Sequence, residues 1–134
     1  MRALFVLLAL SLPLAACRQD ETLSAYAGQG STWQLTAIDD APVTAGAAAT
    51  ISFPAEGRIA GTGPCNRFTA SQSAPYPWFS LTGLAATRTA CPALDAETAF
   101  FRALAMMAFA EVQGDVLILS AEGGRSLRFA RLQD

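Results

Sequence analysis

Cys65, Arg88, Cys91 and Glu97 are the residues of this chain best placed, by type and spacing, to do chemistry. The two cysteines can pair, act as thiols or hold a metal with other ligands. The arginine and the carboxylate can form an ion pair or bind an anion together. The other usual groups are missing. The chain has no histidine, and all nine of its cationic side chains are arginines. Ser-His-Asp and Cys-His catalysis, histidine metal centres and lysine Schiff bases are therefore excluded. A chain so poor in general bases is expected not to be an enzyme, and no metal or cofactor is expected. With a net charge of −2, nucleic acid is not an expected partner.

The spacing of Cys65 and Cys91 fits neither a CxxC redox motif nor a four-ligand zinc site. A structural disulfide closing a loop of about 25 residues is the expected state, contributing roughly 3 kcal/mol on a chain-entropy model. Buried free thiols and a redox-active pair are the alternatives. Glu97 lies near the apolar face of a helix, since Phe100 and Phe101 follow at helical spacing. Arg88 is close upstream and can reach a carboxylate bidentately. The expectation is a structural Arg88–Glu97 ion pair; an anion or ligand site is the alternative. Tyr76, Trp78 and Phe79 are expected to pack in the core, an exposed aromatic rim being the other reading.

The third cysteine, Cys17, has a different context. Arg2 is followed by the apolar run Ala3–Leu12, and Leu14-Ala15-Ala16 leads into Cys17. This is the pattern of a secretory signal, too short for a bilayer span of about 20 residues. Its end resembles a bacterial lipobox, which implies cleavage before Cys17 and acyl chains on its thiol. Such chains anchor stably, at about 0.8 kcal/mol per buried methylene. That compartment also permits disulfides. Arg18, where an aspartate would favour inner-membrane retention, points to the outer membrane, facing the periplasm. The expected organisation is a signal peptide over 1–16, a flexible tether over 17–30 and one domain over 31–134.

The elements that must position these groups follow from periodicity. Thr32–Ile38 alternates, with Trp33, Leu35 and Ala37 on one face. Asp39–Pro42 is a turn. Thr50–Phe53 and Arg58–Thr62 read as a hairpin around Pro54–Gly57. Phe68–Ser71 and Trp78–Thr82 are strand candidates, and Leu84–Ala90 is strand or irregular. Pro92–Ala108 is the helix: Pro92 suits the first turn, Asp95 and Glu97 favour the N-terminus, and Leu94, Phe101, Leu104 and Ala108 form an apolar stripe. Phe109–Gln113 follows the helix. Val116–Ser120 reads as a strand buried on both faces. Ser126–Leu132 alternates, with Leu127, Phe129 and Leu132 apolar. Strands, one helix and more strands predict an α+β fold, an antiparallel sheet curled around a helix.

Spaced motifs sharpen this expectation. Trp33 and Leu35 form a W-x-L strand. Gly61 to Phe68 contains Cys65, Asn66 and Phe68 in a G-x-x-x-C-N-x-F arrangement, Thr87, Arg88 and Cys91 form a T-R-x-x-C segment, and Glu97 follows on the helix. Together they resemble the META domain, or HslJ-like, family over about residues 31–132, with departures at Pro64 and Ala70. The resemblance implies a small, partly open antiparallel β-barrel packed on a single helix, with Trp33, Asn66, Phe68, Arg88 and Glu97 as structural motif residues. It implies no settled activity. Family members are often envelope lipoproteins linked to heat or drug stress, and the fold is similar to a lipid-binding pilot protein of secretion systems. The functional expectation is a lipid-anchored, stress-related binding or accessory protein, partnered by the membrane through Cys17 and by an envelope protein or apolar ligand, with an apolar groove between sheet and helix as the expected binding route. A carrier of small apolar ligands or a pilot-like assembly factor is the alternative. A thiol redox protein is a third reading, which needs an accessible thiolate of lowered pKa.

Overall fold

A computed structural model describes residues 16–133. The expected signal peptide over 1–16 lies, but for Ala16, outside the described residues. The elements run in chain order α1 (Leu23–Ala27), β1 (Thr32–Ile38), β2 (Ala41–Pro42), a 3-10 turn (Ala45–Ala47), β3 (Thr50–Ser52), β4 (Arg58–Thr62), β5 (Arg67–Ser71), β6 (Thr82–Ala86), α2 (Leu94–Met106), β7 (Phe109–Gln113), β8 (Val116–Ser120) and β9 (Ser126–Arg131). The strands form one antiparallel sheet in the order β6-β5-β4-β3-β1-β9-β8-β7, with β2 paired to β1. This sheet curls into a half-barrel against α2, so the fold is α+β as the patterning predicts.

Alternation decides which side of each strand faces inward. Trp33, Leu35 and Ala37 are buried on β1, while Gln34 and Thr36 are exposed. Trp33 lies opposite Ile51, and Leu35 opposite Phe129. Each fully buried side chain of this size contributes roughly 1.5–3 kcal/mol. At Gly61 the requirement is close approach: an added Cβ would stand 2.0 Å from the Thr50 carbonyl oxygen. Asp39 and Asp40 take positive φ (49° and 63°) in the β1–β2 turn, a conformation that short polar side chains tolerate.

The helix α2 runs through residues of good helical propensity, with neither glycine nor proline inside it. Its inward face carries Glu97, Phe100, Ala103 and Leu104. The expected stripe is thus shifted. Leu94 is exposed, and Ala108 lies beyond the helix end. Phe68 from β5 meets Phe100 and Phe101 edge-on, at centroid separations of 6.0 and 5.2 Å, a favoured aromatic geometry.

Several other expectations are corrected. Val116–Ser120 is not buried on both faces: only Leu117 and Leu119 are buried, because the outer side of β8 is half-exposed. Leu132 is exposed, one residue past the end of β9. Residues 78–82 do not form the strand; β6 begins at Thr82. The segment before it leans on the opposite edge of the sheet instead. Ala110 N–H donates to the Pro77 carbonyl and Phe79 N–H to the Ala108 carbonyl, both at 2.8 Å. The stretch from Pro77 to Ala86 therefore crosses from β7 to β5 and closes one end of the half-barrel.

The expected tether is also shorter than its polar composition suggests. Leu23 and Ala27 of α1 are core residues, and Thr22 and Ser24 are buried. Asp20 precedes this helix and accepts hydrogen bonds from the Thr22 N–H and Oγ1 at 2.8 and 2.7 Å, and from Ser24 Oγ. Burial raises the Asp20 pKa, but these bonds from Ser24 and Thr22 outweigh it and leave the carboxyl below its ordinary value. Tyr76 N–H donates to the Glu21 carbonyl at 2.7 Å. Among the described residues, 16–19 alone precede these contacts. No helix among the described residues is long and apolar enough to cross a membrane.

Candidate functional site

The motif residues converge where the β4–β5 turn meets the start of α2. The chain leaves β4 at Thr62 and turns through residues 63–66, closed by the Gly63 N–H donating to the Asn66 carbonyl at 2.7 Å. The turn exposes backbone donors that the sheet does not use. Glu97, on the first turn of α2, satisfies them. Its Oε2 accepts the Cys65 N–H at 2.7 Å and the Asn66 N–H at 2.6 Å. Its Oε1 accepts Asn66 Nδ2 at 2.6 Å. Buried polar groups require such partners.

Asn66 is the hub of this network. Its Oδ1 accepts Thr87 Oγ1 at 2.9 Å and the Thr89 N–H at 2.6 Å, and its Nδ2 also donates to the Thr89 carbonyl at 3.1 Å. One side chain thus joins the turn, the helix and the segment after β6. Burial pushes the Glu97 pKa up, but the bonds from the Asn66 side chain and the Cys65 and Asn66 amides overcome this, and the carboxyl sits below its ordinary value. Glu97 is held as an anion by donors that are all neutral.

The expected Arg88–Glu97 pair does not form. Glu97 is 3% exposed and directed into the turn, whereas Arg88 is exposed on the strand side. Among the described residues, the ion pairs are Arg125–Asp39 and Arg131–Asp115. The backbone donors of the turn lie closer to Glu97 than any guanidinium and take up its lone pairs. Gly63 is required for this approach: a Cβ there would stand 2.6 Å from Glu97 Oε2.

Cys65 and Cys91 form a disulfide with a Cα–Cα distance of 5.9 Å, within the usual range. It staples the same turn to the residues just before α2. Cys17 is exposed, and it is the free cysteine among the described residues. Trp33 is fully buried; its Nε1 donates to Ser31 Oγ at 2.8 Å, and the Arg131 guanidinium lies 4.4 Å from its ring centroid. Phe68 is core. Of the three aromatic residues expected in the core, Phe79 is buried, Tyr76 is half-buried against the core cluster, and Trp78 is exposed.

Beside the clasp an open groove of about 620 Å³ runs between β6 and α2, within the size range of small-molecule sites. Leu84, Ala86, Leu94 and Phe101 supply apolar lining, and Arg88 stands among the lining residues. An apolar groove between sheet and helix is the expected binding route, and one lies here, although its lining residues were not singled out as a set from the sequence.

The geometry matches known proteins. The model of the META domain matches residues 26–134. No curated protein matches the chain. Among solved structures, the NMR structure of a protein from Burkholderia xenovorans is similar, with 24% identity and a TM-score of 0.66; the match covers 89% of this chain and 94% of that one. A crystal structure of a duf4847 family protein from Bacteroides vulgatus is similar at 22% identity and a TM-score of 0.54, covering 64% of this chain and 61% of the other. These likenesses concern the fold, a half-barrel over one helix. With the family model spanning both sides of the Asn66–Glu97 clasp, this chain belongs to the META domain family.

Proposed function

We propose that this protein is a lipid-anchored binding module of the cell envelope and does no catalysis. Its site is the groove between β6 and α2, and its ligand class is a small amphiphile with an apolar body and an anionic group. The observation that supports this reading is the combination of apolar lining with Arg88, which has no carboxylate partner among the described residues. Leu84, Ala86 and Phe101 offer apolar surface to the chain of such a ligand. Arg88 offers a planar fork of donors for a carboxylate or phosphate. The carboxylate and arginine expected to form an ion pair do not meet, and the META domain is not a known enzyme family.

The anchor rests on Leu14–Cys17, and the outer-membrane, periplasm-facing placement on Arg18. A role in envelope stress accompanies the family resemblance. Assistance to an envelope protein is the second reading, favoured by the position of β6 at the edge of the sheet, where an extended segment of another chain can add as a further strand.

Titration with dodecanoate, followed by amide chemical shifts, tests the groove. Shifts are expected at residues 84–90 and at Phe101. Arg88→Ala should weaken binding about tenfold or more, the loss of a charge-assisted hydrogen bond worth roughly 1.5–3 kcal/mol. Dodecanol shifting the same residues with the same affinity would remove the anionic group from the proposal, and no shift at these residues would remove the site. Intact-mass measurement of membrane-extracted protein tests the anchor: a product without lipid mass overturns it.

A further inference from the structure

We infer that an aromatic strip on the outer edge of β7 rests on the bilayer surface, so that the domain lies against the membrane instead of swinging from its anchor. The inference rests on the proposed acylation of Cys17. Tyr26 and Trp78 are 51% and 55% exposed, although most aromatic residues here are buried. They are not isolated. Tyr26 stacks on Tyr76 at a centroid distance of 4.0 Å, and Trp78 packs on Phe109 at 5.2 Å. The Tyr76 hydroxyl accepts the Val112 N–H at 3.3 Å. The two aromatic pairs therefore flank the ends of one short strand, from Phe109 to Val112, roughly 10 Å apart at about 3.4 Å per residue.

The position of Cys17 commits this strip to a lipid surface. The Glu21 carbonyl is bonded to the Tyr76 N–H, and Thr22 bridges to Pro75. Between Cys17 and that fixed point lie four residue steps, which span at most about 14 Å when fully extended. Acyl chains on Cys17 would hold Tyr26 and Tyr76 at the headgroup layer. Tyrosine and tryptophan, each with an apolar body and a polar tip, are the side chains favoured there.

Charge does not drive the contact. Arg18 is accompanied around the attachment point by Asp20, Glu21 and Glu56, and Glu111 lies on β7 itself. Docking should therefore need no anionic lipid and should survive high salt.

The test uses the intrinsic fluorescence of the full chain on vesicles of phosphatidylethanolamine and phosphatidylglycerol carrying bromine near the headgroup. Trp33 is fully buried and Trp78 is the exposed indole, so bromine quenching reports Trp78. Quenching is expected in the tethered protein, at low and high salt, and should fall to the Trp33 background in Trp78→Phe. Tyr26→Ser, at an exposed position, should reduce it with Trp78 still present. Absence of quenching in the tethered wild-type protein overturns the docking, as does quenching that high salt abolishes. Should intact mass show no acyl chain, the anchor reading fails by itself. Coupling the Cys17 thiol to a maleimide phospholipid then still decides whether the strip docks.

Discussion

Glu97 grips Asn66 twice. One carboxylate oxygen takes its backbone N–H and the other its side-chain Nδ2, each at 2.6 Å. The two residues are 31 positions apart in sequence and belong to different layers of the fold. Because Asn66 also accepts from Thr87 and Thr89, the grip ties α2 to both ends of the β5–β6 region. It also gives the G-x-x-x-C-N segment, the T-R-x-x-C segment and the helix acid a common physical purpose.

Glu97→Gln should destabilise the domain by about 1–3 kcal/mol, since an amide nitrogen in place of one oxygen faces donors and leaves buried N–H groups unsatisfied. Arg88→Met should change stability by less than about 0.5 kcal/mol, being an exposed substitution away from any pair. A double-mutant cycle between them on denaturant unfolding should give coupling near zero. A coupling of several kcal/mol would restore the ion pair and contradict the geometry described above.

The depressed pKa of Glu97 makes part of the stability pH-dependent, and the sign follows from linkage. The folded state binds its proton less readily than the unfolded chain does. The contribution is therefore fully present above the unfolded value of about 4.3 and is lost as pH falls through the lower folded value. Asp20 is shifted in the same direction and adds to the acid limb. In urea unfolding from neutral pH down to acid, the stability difference between wild type and Glu97→Gln should stay constant above that range and shrink below it. A difference that grows on acidification would reverse the assignment.

Gly63→Ala should cost stability through the carboxylate it displaces. The new Cβ would stand 2.6 Å from Oε2 of a side chain held by three hydrogen bonds. A loss of about 1–3 kcal/mol is expected when those bonds lengthen. The cost should fall in a Glu97→Ala background, where the obstacle is absent, and thermal unfolding of the four proteins measures that coupling. Gly61→Ala should cost more, since its neighbour is the Thr50 backbone, and Glu97→Ala should not relieve it.

The strands were legible where one face alone is buried. Trp33-x-Leu35-x-Ala37 and Leu127-x-Phe129 state their inward side by alternation, and β1 and β4 have the limits their patterns predict. Val116–Ser120 misleads because an apolar outer face on a half-exposed strand looks the same as a doubly buried one. Glu97 was recognisable as a carboxylate on an apolar face that needs a partner. Its partner was not recognisable, because backbone donors have no letter in a sequence: the obvious cation, Arg88, competed with the N–H groups of a turn, and the turn prevailed through proximity. The packing of residues 20–27 was hidden for a related reason, since Thr22 and Ser24 look solvated until Asp20 supplies their hydrogen bonds.

The disulfide and the Glu97 grip fasten the same turn, so their contributions should be coupled. Cys65 is the residue before Asn66, and its N–H is itself bound by Glu97 Oε2. The bridge closes a separation of 26 residues, and its removal should cost about 2–5 kcal/mol. With the bridge present, the turn stays near α2 even when the carboxylate is lost. In Cys65→Ser with Cys91→Ser, the grip is the principal remaining fastening, and Glu97→Gln should loosen the turn further. Amide hydrogen exchange at residues 63–67 and 87–91 reads this directly. Each single lesion should speed exchange modestly, and the combination should speed it by more than the product of the two. Simple multiplicativity would mean that the bridge and the carboxylate stabilise separate parts of the fold. Peptide mapping of the oxidised wild-type protein under non-reducing conditions should recover Cys65 and Cys91 as one linked fragment, and recovery of both as free thiols would remove the bridge from this account.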